Sequence, residues 1–380
     1  MNSFAIVKSS YLENTNNTVI NGNLTVNGTV YSYLNFNLDS IPSNTISYID
    51  INDTSSNKFA GGVLAPNGKM YFIPAGSDYV GIFDPVTNLF DKTTIKGLGT
   101  GTTKWTGGVL APNGNIYCIP LNASSVAIIN PYTNTIDTTT ISGLNDSGKF
   151  AGGVLAPNGK IYCSPRDVPY IGIIDTITNT IDITKLIITG PSASVTIKFG
   201  GCVLAPNGEI YLIPRNSTYV GIITLSETLD ITSITGLPST PLGKWTSGVL
   251  GPNGKIYCIA SNFSYIGIID PLTKTFDKTS IPVSISPNFN NWFGGVLAPN
   301  GKIYCIPINA ESVGIIDTVS NTIDTKSIPV SNSTGKWFGG VLYSNGNIYC
   351  VPSSTSNIAI IKTGLPIYNS WMLLPQFNKY

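Results

Sequence analysis

One phrase, GGVLAPNGKIYCIP, recurs with small changes seven times along the 380-residue chain, and nothing else in the sequence restricts the fold so severely. Its turn glycines fall at Gly68, Gly114, Gly159, Gly208, Gly254, Gly301 and Gly346, spaced by 46, 45, 49, 46, 47 and 45 residues. A fixed period of this size marks one supersecondary unit that buries its apolar faces against copies of itself. Each unit reads as four short strands; in the second unit they are expected at 105–111, 115–120, 126–130 and 135–141.

The connections carry their own chemistry. Pro-Asn-Gly between the first two strands presets φ at Pro and supplies positive φ at Gly, and Asp-Pro-x-Thr-Asn at 84–88, with Lys in the last place at 270–274, does the same between the third and fourth. Paired glycines in the first strand (Gly61 and Gly62, Gly107 and Gly108, Gly294 and Gly295) fit a place where backbones crowd about an axis. The fold predicted is all-β: a seven-bladed β-propeller of four-stranded antiparallel blades. The seventh unit has three strands and then departs into TGLPIYNSWMLLPQFNKY, whereas SNTISYIDI at 43–51 mimics a fourth strand such as SNTIDTKSI at 320–328. An N-terminal strand is therefore expected to close the ring and cover two exposed edges. This divides the chain into a stem or anchor segment at 1–42, the propeller at 43–364 and an apolar tail at 365–380.

Composition narrows the chemistry. Charged residues are 11% of the chain and the net charge is +1, which gives no field for nucleic acid or an acidic membrane. The first residues lack a signal-peptide pattern and no window approaches a membrane span, so the chain is expected to be soluble, without membrane insertion. There is no histidine, which removes Ser-His-Asp and Cys-His arrangements and His-containing metal sets. Cys118, Cys163, Cys258, Cys305 and Cys350 occupy one place in five units and Cys202 another place in a sixth, too dispersed for disulfides or a metal cluster. They are expected to be free, buried thiols, favouring folding in a reducing compartment. Only Arg166 and Arg215 are present, too few for a three-arginine carboxylate clamp. The recurring Asp91, Asp137, Asp182, Asp230, Asp277 and Asp324 fall in the fourth strand and read as edge or turn residues. The chain is expected not to be an enzyme, with no catalytic residue, no metal and no cofactor.

One constellation remains as a candidate ligand site. Lys58, Lys104, Lys149, Lys198, Lys244 and Lys336 lead into six of the first strands, with Asn291 in the other, and an aromatic follows in all seven: Phe59, Trp105, Phe150, Phe199, Trp245, Trp292 and Trp337. Six ammonium groups ringing one mouth of the channel would hold an anion, an acidic glycan or an acidic loop. The competing reading makes the lysines solvated turn residues and the aromatics packing between blades. The fourth-to-first loops, such as KGLGTGTTK against VSISPNFNN, and the second-to-third loops, AGSDY, RDVPY and SNFSY, differ from unit to unit on that same face, while the other face carries uniform turns. Divergent loops on a rigid scaffold are the layout of a recognition surface.

The phrases VLAPNGKIYCIP from Val296 and IGIIDPLTKTFDKTSIPV from Ile266 resemble the YVTN-type surface-layer propeller repeats of bacteria and archaea over 43–364, although the paired glycines and the Lys-aromatic lead-in depart from that pattern. INGNLTVNGTV at 20–30 resembles the stems of viral and phage fibre proteins, which precede a receptor-binding head. With a residue usage typical of an AT-rich genome, that resemblance implies a large DNA virus as the source. The expectation is a virion-surface or extracellular head for attachment or decoration. It would bind a glycan or host surface protein at its loops and another structural protein through 1–42, and would assemble as a trimer through the stem. The alternative is a cytoplasmic scaffold for protein interaction.

Overall fold

Each hairpin is closed by bonds its own residues supply. In the first unit the Gly68 N–H donates to the Ala65 carbonyl at 3.0 Å and the Ala65 N–H to the Lys69 carbonyl at 2.9 Å, with Gly68 at φ +78°, where a side chain would be strained. In the second turn Asp84 Oδ1 accepts from the N–H groups of Val86 and Thr87 at 2.9 and 3.2 Å, and Asn88 takes φ 58°. Repeated along the chain, these turns give seven four-stranded antiparallel sheets.

The computed structural model describes residues 44–101, 103–284 and 290–364. Blade 2 consists of Trp105–Leu110, Ile116–Pro120, Ser125–Asn130 and Thr135–Ser142, within one residue of the expected bounds. Helical structure among the described residues is a 3-10 turn at Gly190–Ser194. Thr45–Asp50 pairs antiparallel with Asn357–Lys362, from Thr45 opposite Lys362 to Asp50 opposite Asn357, and so completes the seventh blade. The architecture is an all-β seven-bladed propeller closed by an N-terminal strand. The expected stem at 1–42 and tail at 365–380 lie outside the described residues.

The core sits between blades. Ile73, Val80 and Ile95 of blade 1 pack with Trp105, Ile116 and Cys118 of blade 2, and equivalent layers follow round the ring. Burial of both faces of each sheet explains why second strands such as IYCIP are wholly apolar, whereas outer strands such as TIDTTTIS are mostly polar and largely exposed or half-buried. On the turn face a hydrogen-bonded latch joins neighbours. In blade 2 the Asn113 amide donates to Tyr117 Oη and to the Thr176 carbonyl of blade 3, both at 3.0 Å, and the Tyr117 hydroxyl donates to Asn179 Oδ1 at 2.6 Å.

The paired glycines serve two purposes. At the first of each pair the backbones of adjacent blades meet: a Cβ on Gly294 would lie 3.0 Å from the Gly339 Cα. At the second, the neighbouring blade's side chain fills the space: a Cβ on Gly108 would lie 2.8 Å from Ile73 Cδ1, and one on Gly248 2.6 Å from Ile213 Cδ1. Blade 4 has Cys202 at this second place, and the residue that would oppose it is Ser164 where the other blades carry Ile or Val. The Ser164 hydroxyl donates to the Gly201 carbonyl at 3.1 Å, and the Cys202 thiol to the Tyr162 carbonyl at 3.5 Å. All six cysteines are free; five are buried and Cys202 is half-buried.

Candidate functional site on the loop face

The residues leading into the first strands form a closed backbone circuit. The Lys58 N–H donates to the Ser353 carbonyl at 2.9 Å and the Ala75 N–H to the Lys58 carbonyl at 2.8 Å. The same two bonds recur through Lys104, Lys149, Lys198, Lys244, Asn291 and Lys336, so each blade is tied to the one before it.

The side chains do not form the expected ring of solvent-facing ammoniums, nor are they solvated turn residues. Lys58, Lys149, Lys198, Lys244 and Lys336 are buried, and Lys104 is half-buried. Most turn back to donate to loop carbonyls: Lys58 to Ser55 O at 2.5 Å, Lys104 to Ser77 O and Gly99 O at 2.8 Å each, Lys198 to Asp167 O at 2.9 Å, Lys336 to Ser333 O at 2.5 Å, and Lys149 to Asp146 O. Burial lowers the pKa of each, opposed by a nearby carboxylate: Asp53, Asp78, Asp146, Asp167 and Glu311 for Lys58, Lys104, Lys149, Lys198 and Lys336. Five of the six lysines thus fasten the lead-in loop to itself or to the second-to-third loop of the preceding blade. Trp105, Trp245, Trp292 and Trp337 are buried too, each donating its indole N–H to a carbonyl at or just before the start of its own third strand, at Ser125, Tyr265, Ser312 and Asn357, over 3.0, 3.0, 2.9 and 3.0 Å. Where the aromatic is Phe59, Phe150 or Phe199, a tyrosine ring (Tyr79, Tyr170, Tyr219) packs against it edge-on instead.

The recurring aspartates have the turn role expected of them. Asp137 accepts from the hydroxyl of Thr140 and from the backbone and hydroxyl of Thr139, bonds that hold its carboxyl down at about 2. Among the described residues no three of Cys, Asp and Glu cluster as metal ligands, and no helix is long and apolar enough to cross a membrane.

A cleft of about 520 Å³ opens over blade 6, lined by Asn291, Trp292, Asn309, Glu311, Asn332 and Thr334 among others. It lies where the lead-in lysine is replaced by Asn291, between the second-to-third loop at 309–312 and the following fourth-to-first loop at 332–334. The sequence reading missed it, although the single break in the lysine series was its signal.

No family model matches the chain, and no curated protein is significantly similar to it. Its fold is similar to that of virginiamycin B lyase from Staphylococcus aureus, solved with quinupristin, at 13% identity and TM-score 0.68 over 83% of this chain and 98% of that one. A streptogramin B lyase is similar at 15% identity and TM-score 0.65, over 84% and 98% of the two chains. The extracellular domain of a putative one component system from B. thetaiotaomicron is similar at 11% identity and TM-score 0.60, over 86% of this chain and 42% of that one. At such identities the likeness concerns the fold alone. It corrects the expectation that the chain is not an enzyme: a similar disc carries a lyase in one protein and the extracellular domain of a putative one component system in another, so the exclusion does not follow from the architecture. Neither the fibre-stem resemblance nor a viral origin gains support from these comparisons.

Proposed function

We propose that the chain is a virion-surface or cell-surface propeller head whose loop face recognises a glycan or a protein, with the cleft over blade 6 as the principal contact. The observation that carries this reading is the concentration of the cleft and of loop divergence on one face, opposite a face of short turns closed by the same backbone bonds in every blade. The cleft offers the amide of Asn332, the hydroxyls of Ser312, Thr325 and Thr334 and the carboxylate of Glu311 beside the Trp292 indole, a polar set with one aromatic that suits a hydroxyl-rich ligand. Anchoring through 1–42 belongs to the same proposal. Recognition here holds whether or not the bound molecule is also turned over.

The test is a glycan array probed with the full chain, alongside Glu311→Ala and Asn332→Ala. Binding that falls at least tenfold in both variants supports the cleft; binding unchanged in both refutes it, and silence across the array refutes a glycan ligand. The six free thiols favour a second reading, an intracellular scaffold that binds a peptide across the same face. Capture of one discrete peptide segment that competes for the cleft, with no response on the array, would favour it.

A further inference from the structure

Charge balance around the lead-in lysines fails at one blade junction. Five of the six lysines have a carbonyl for the ammonium and a carboxylate near it, supplied by the lead-in loop or by the second-to-third loop of the preceding blade. Lys244 has neither. Its residue is 0% exposed, and its Nζ has no hydrogen-bond partner among the described residues. The segments that would supply the carboxylate, 215–218 and 235–243, contain no acid and one further cation, Arg215.

Arg215 shares the junction. Its carbonyl accepts the Lys244 N–H at 3.0 Å, and a Cβ built on Gly243 would lie 3.9 Å from its Nε, which is buried and unpartnered. One Nη reaches Asn290 Oδ1 at a long 3.4 Å, and the guanidinium lies over the Phe293 ring at 5.7 Å. By contrast Arg166, at the equivalent place one blade earlier, is paired with Asp167 at 2.8 Å. Burial, then the charge of Arg166, press Arg215 down to about 10, and burial alone takes Lys244 to about 8. Among the described residues, four of the five buried side-chain atoms without a partner, Arg215 Nε, Tyr219 Oη, Lys244 Nζ and Ser247 Oγ, fall between residues 215 and 247. Buried polar groups are otherwise nearly always satisfied, and two cations left so are costly. Water hydrogen-bonds an ammonium without neutralising it. An oxyanion does both, and it matches a point-like ammonium beside a planar guanidinium fork.

We propose that the junction of blades 4 and 5 binds an oxyanion, a carboxylate or sulfate group of a ligand arriving on the loop face, between the Lys244 ammonium and the Arg215 guanidinium. The site lies apart from the cleft lined by Glu311 and Asn332 and does not depend on it. It also differs from a six-lysine ring, since the other five lysines are already neutralised from within.

The test follows thermal unfolding of the full chain in sodium sulfate and, separately, sodium acetate, with sodium chloride holding ionic strength constant. Wild type should gain Tm as either oxyanion rises, by the linkage expected of a ligand that binds only the folded state. A stronger response to acetate assigns a carboxylate; one to sulfate assigns a sulfate ester. Sulfate also stabilises proteins by exclusion from their surface, so the deciding measurement is the difference between variants. Lys244→Met and Arg215→Met should each weaken the saturable response at least tenfold in apparent affinity, whereas Lys104→Met should lower Tm but keep it. If Lys244→Met does not fold, Arg215→Met decides alone. A wild-type Tm that follows chloride in both salts, or a response undiminished in a folded Lys244→Met or Arg215→Met, overturns the proposal.

Discussion

The two faces of the disc treat departures from the repeat differently. On the turn face each altered residue comes with a new partner. Tyr71, Tyr117 and Tyr257 donate to Asn134, Asn179 and Asn321 of the next blade at 2.6, 2.6 and 3.1 Å. Where blade 4 has Glu227 in place of that asparagine, its longer side chain still accepts from Tyr162 at 2.8 Å, and Lys185 pairs with the second oxygen. Where blade 5 has Lys274, Tyr211 turns to Glu209 of its own hairpin at 2.9 Å, and Glu209 pairs with Lys274 at 3.1 Å. At the seam Asn44, from the other end of the chain, accepts from Tyr304 at 2.9 Å. On the loop face the Asn291 replacement and the missing acid beside Lys244 leave a cleft and an unpaired cation. At these positions the turn face replaces what a departure removes, whereas the loop face leaves the loss standing, which is where the proposed contacts lie.

The largest effect expected is at the seam. Deleting residues 44–51 removes the whole outer strand of blade 7, the acceptor of the Tyr304 latch and the Ile51 N–H bond to the Ser356 carbonyl. Two strand edges then stand open. The truncated chain should aggregate on purification and lose its cooperative melt; a monomer with unchanged Tm by light scattering and circular dichroism would show that closure does not hold the ring.

Near the axis the same rule of paired change should appear as a coupling. Ser164→Ile restores the side chain used in other blades but drives it against Cys202, and overpacking of this kind costs about 1–3 kcal/mol. Cys202→Gly should relieve most of that loss, making the double variant more stable than Ser164→Ile alone by urea denaturation. Strictly additive changes would mean that the two residues do not share one space.

The blades were legible because the turn chemistry is local and written out seven times, and the seam because SNTISYIDI carries an outer strand's pattern at the wrong end of the chain. The lysines misled. Whether Lys58 is solvated or buried depends on where the Ser55 carbonyl points, which no local pattern encodes. A signal was available: loops that differ in length and composition have no reason to keep one residue type at a solvated position. Likewise the missing acid in 215–218 and 235–243 can be read from the sequence, but it acquires meaning only once Lys244 is known to be buried. The absence of histidine bears on particular mechanisms, and a fold shared with a lyase shows that it could not settle catalysis.

The smallest effect sharpens the comparison within the turn face. Tyr117→Phe removes a neutral hydrogen bond to Asn179 and should cost about 1 kcal/mol at any pH between 3 and 7. Tyr162→Phe removes a bond to the Glu227 carboxylate, and hydrogen bonds to charged groups contribute about 1.5–3 kcal/mol. The Lys185 ammonium, then the Tyr162 hydroxyl, hold Glu227 below the usual glutamate range. A carboxylate depressed on folding contributes stability that is present above its unfolded pKa of about 4.3 and lost as pH falls through the lower folded value. The gap between wild type and Tyr162→Phe should therefore be wider than that for Tyr117→Phe at pH 7 and narrow toward it on acidification, measured by urea midpoints across that range. Equal, pH-independent gaps would mean that Glu227 stands in for the asparagine only geometrically, and that charge adds nothing to the latch at this junction.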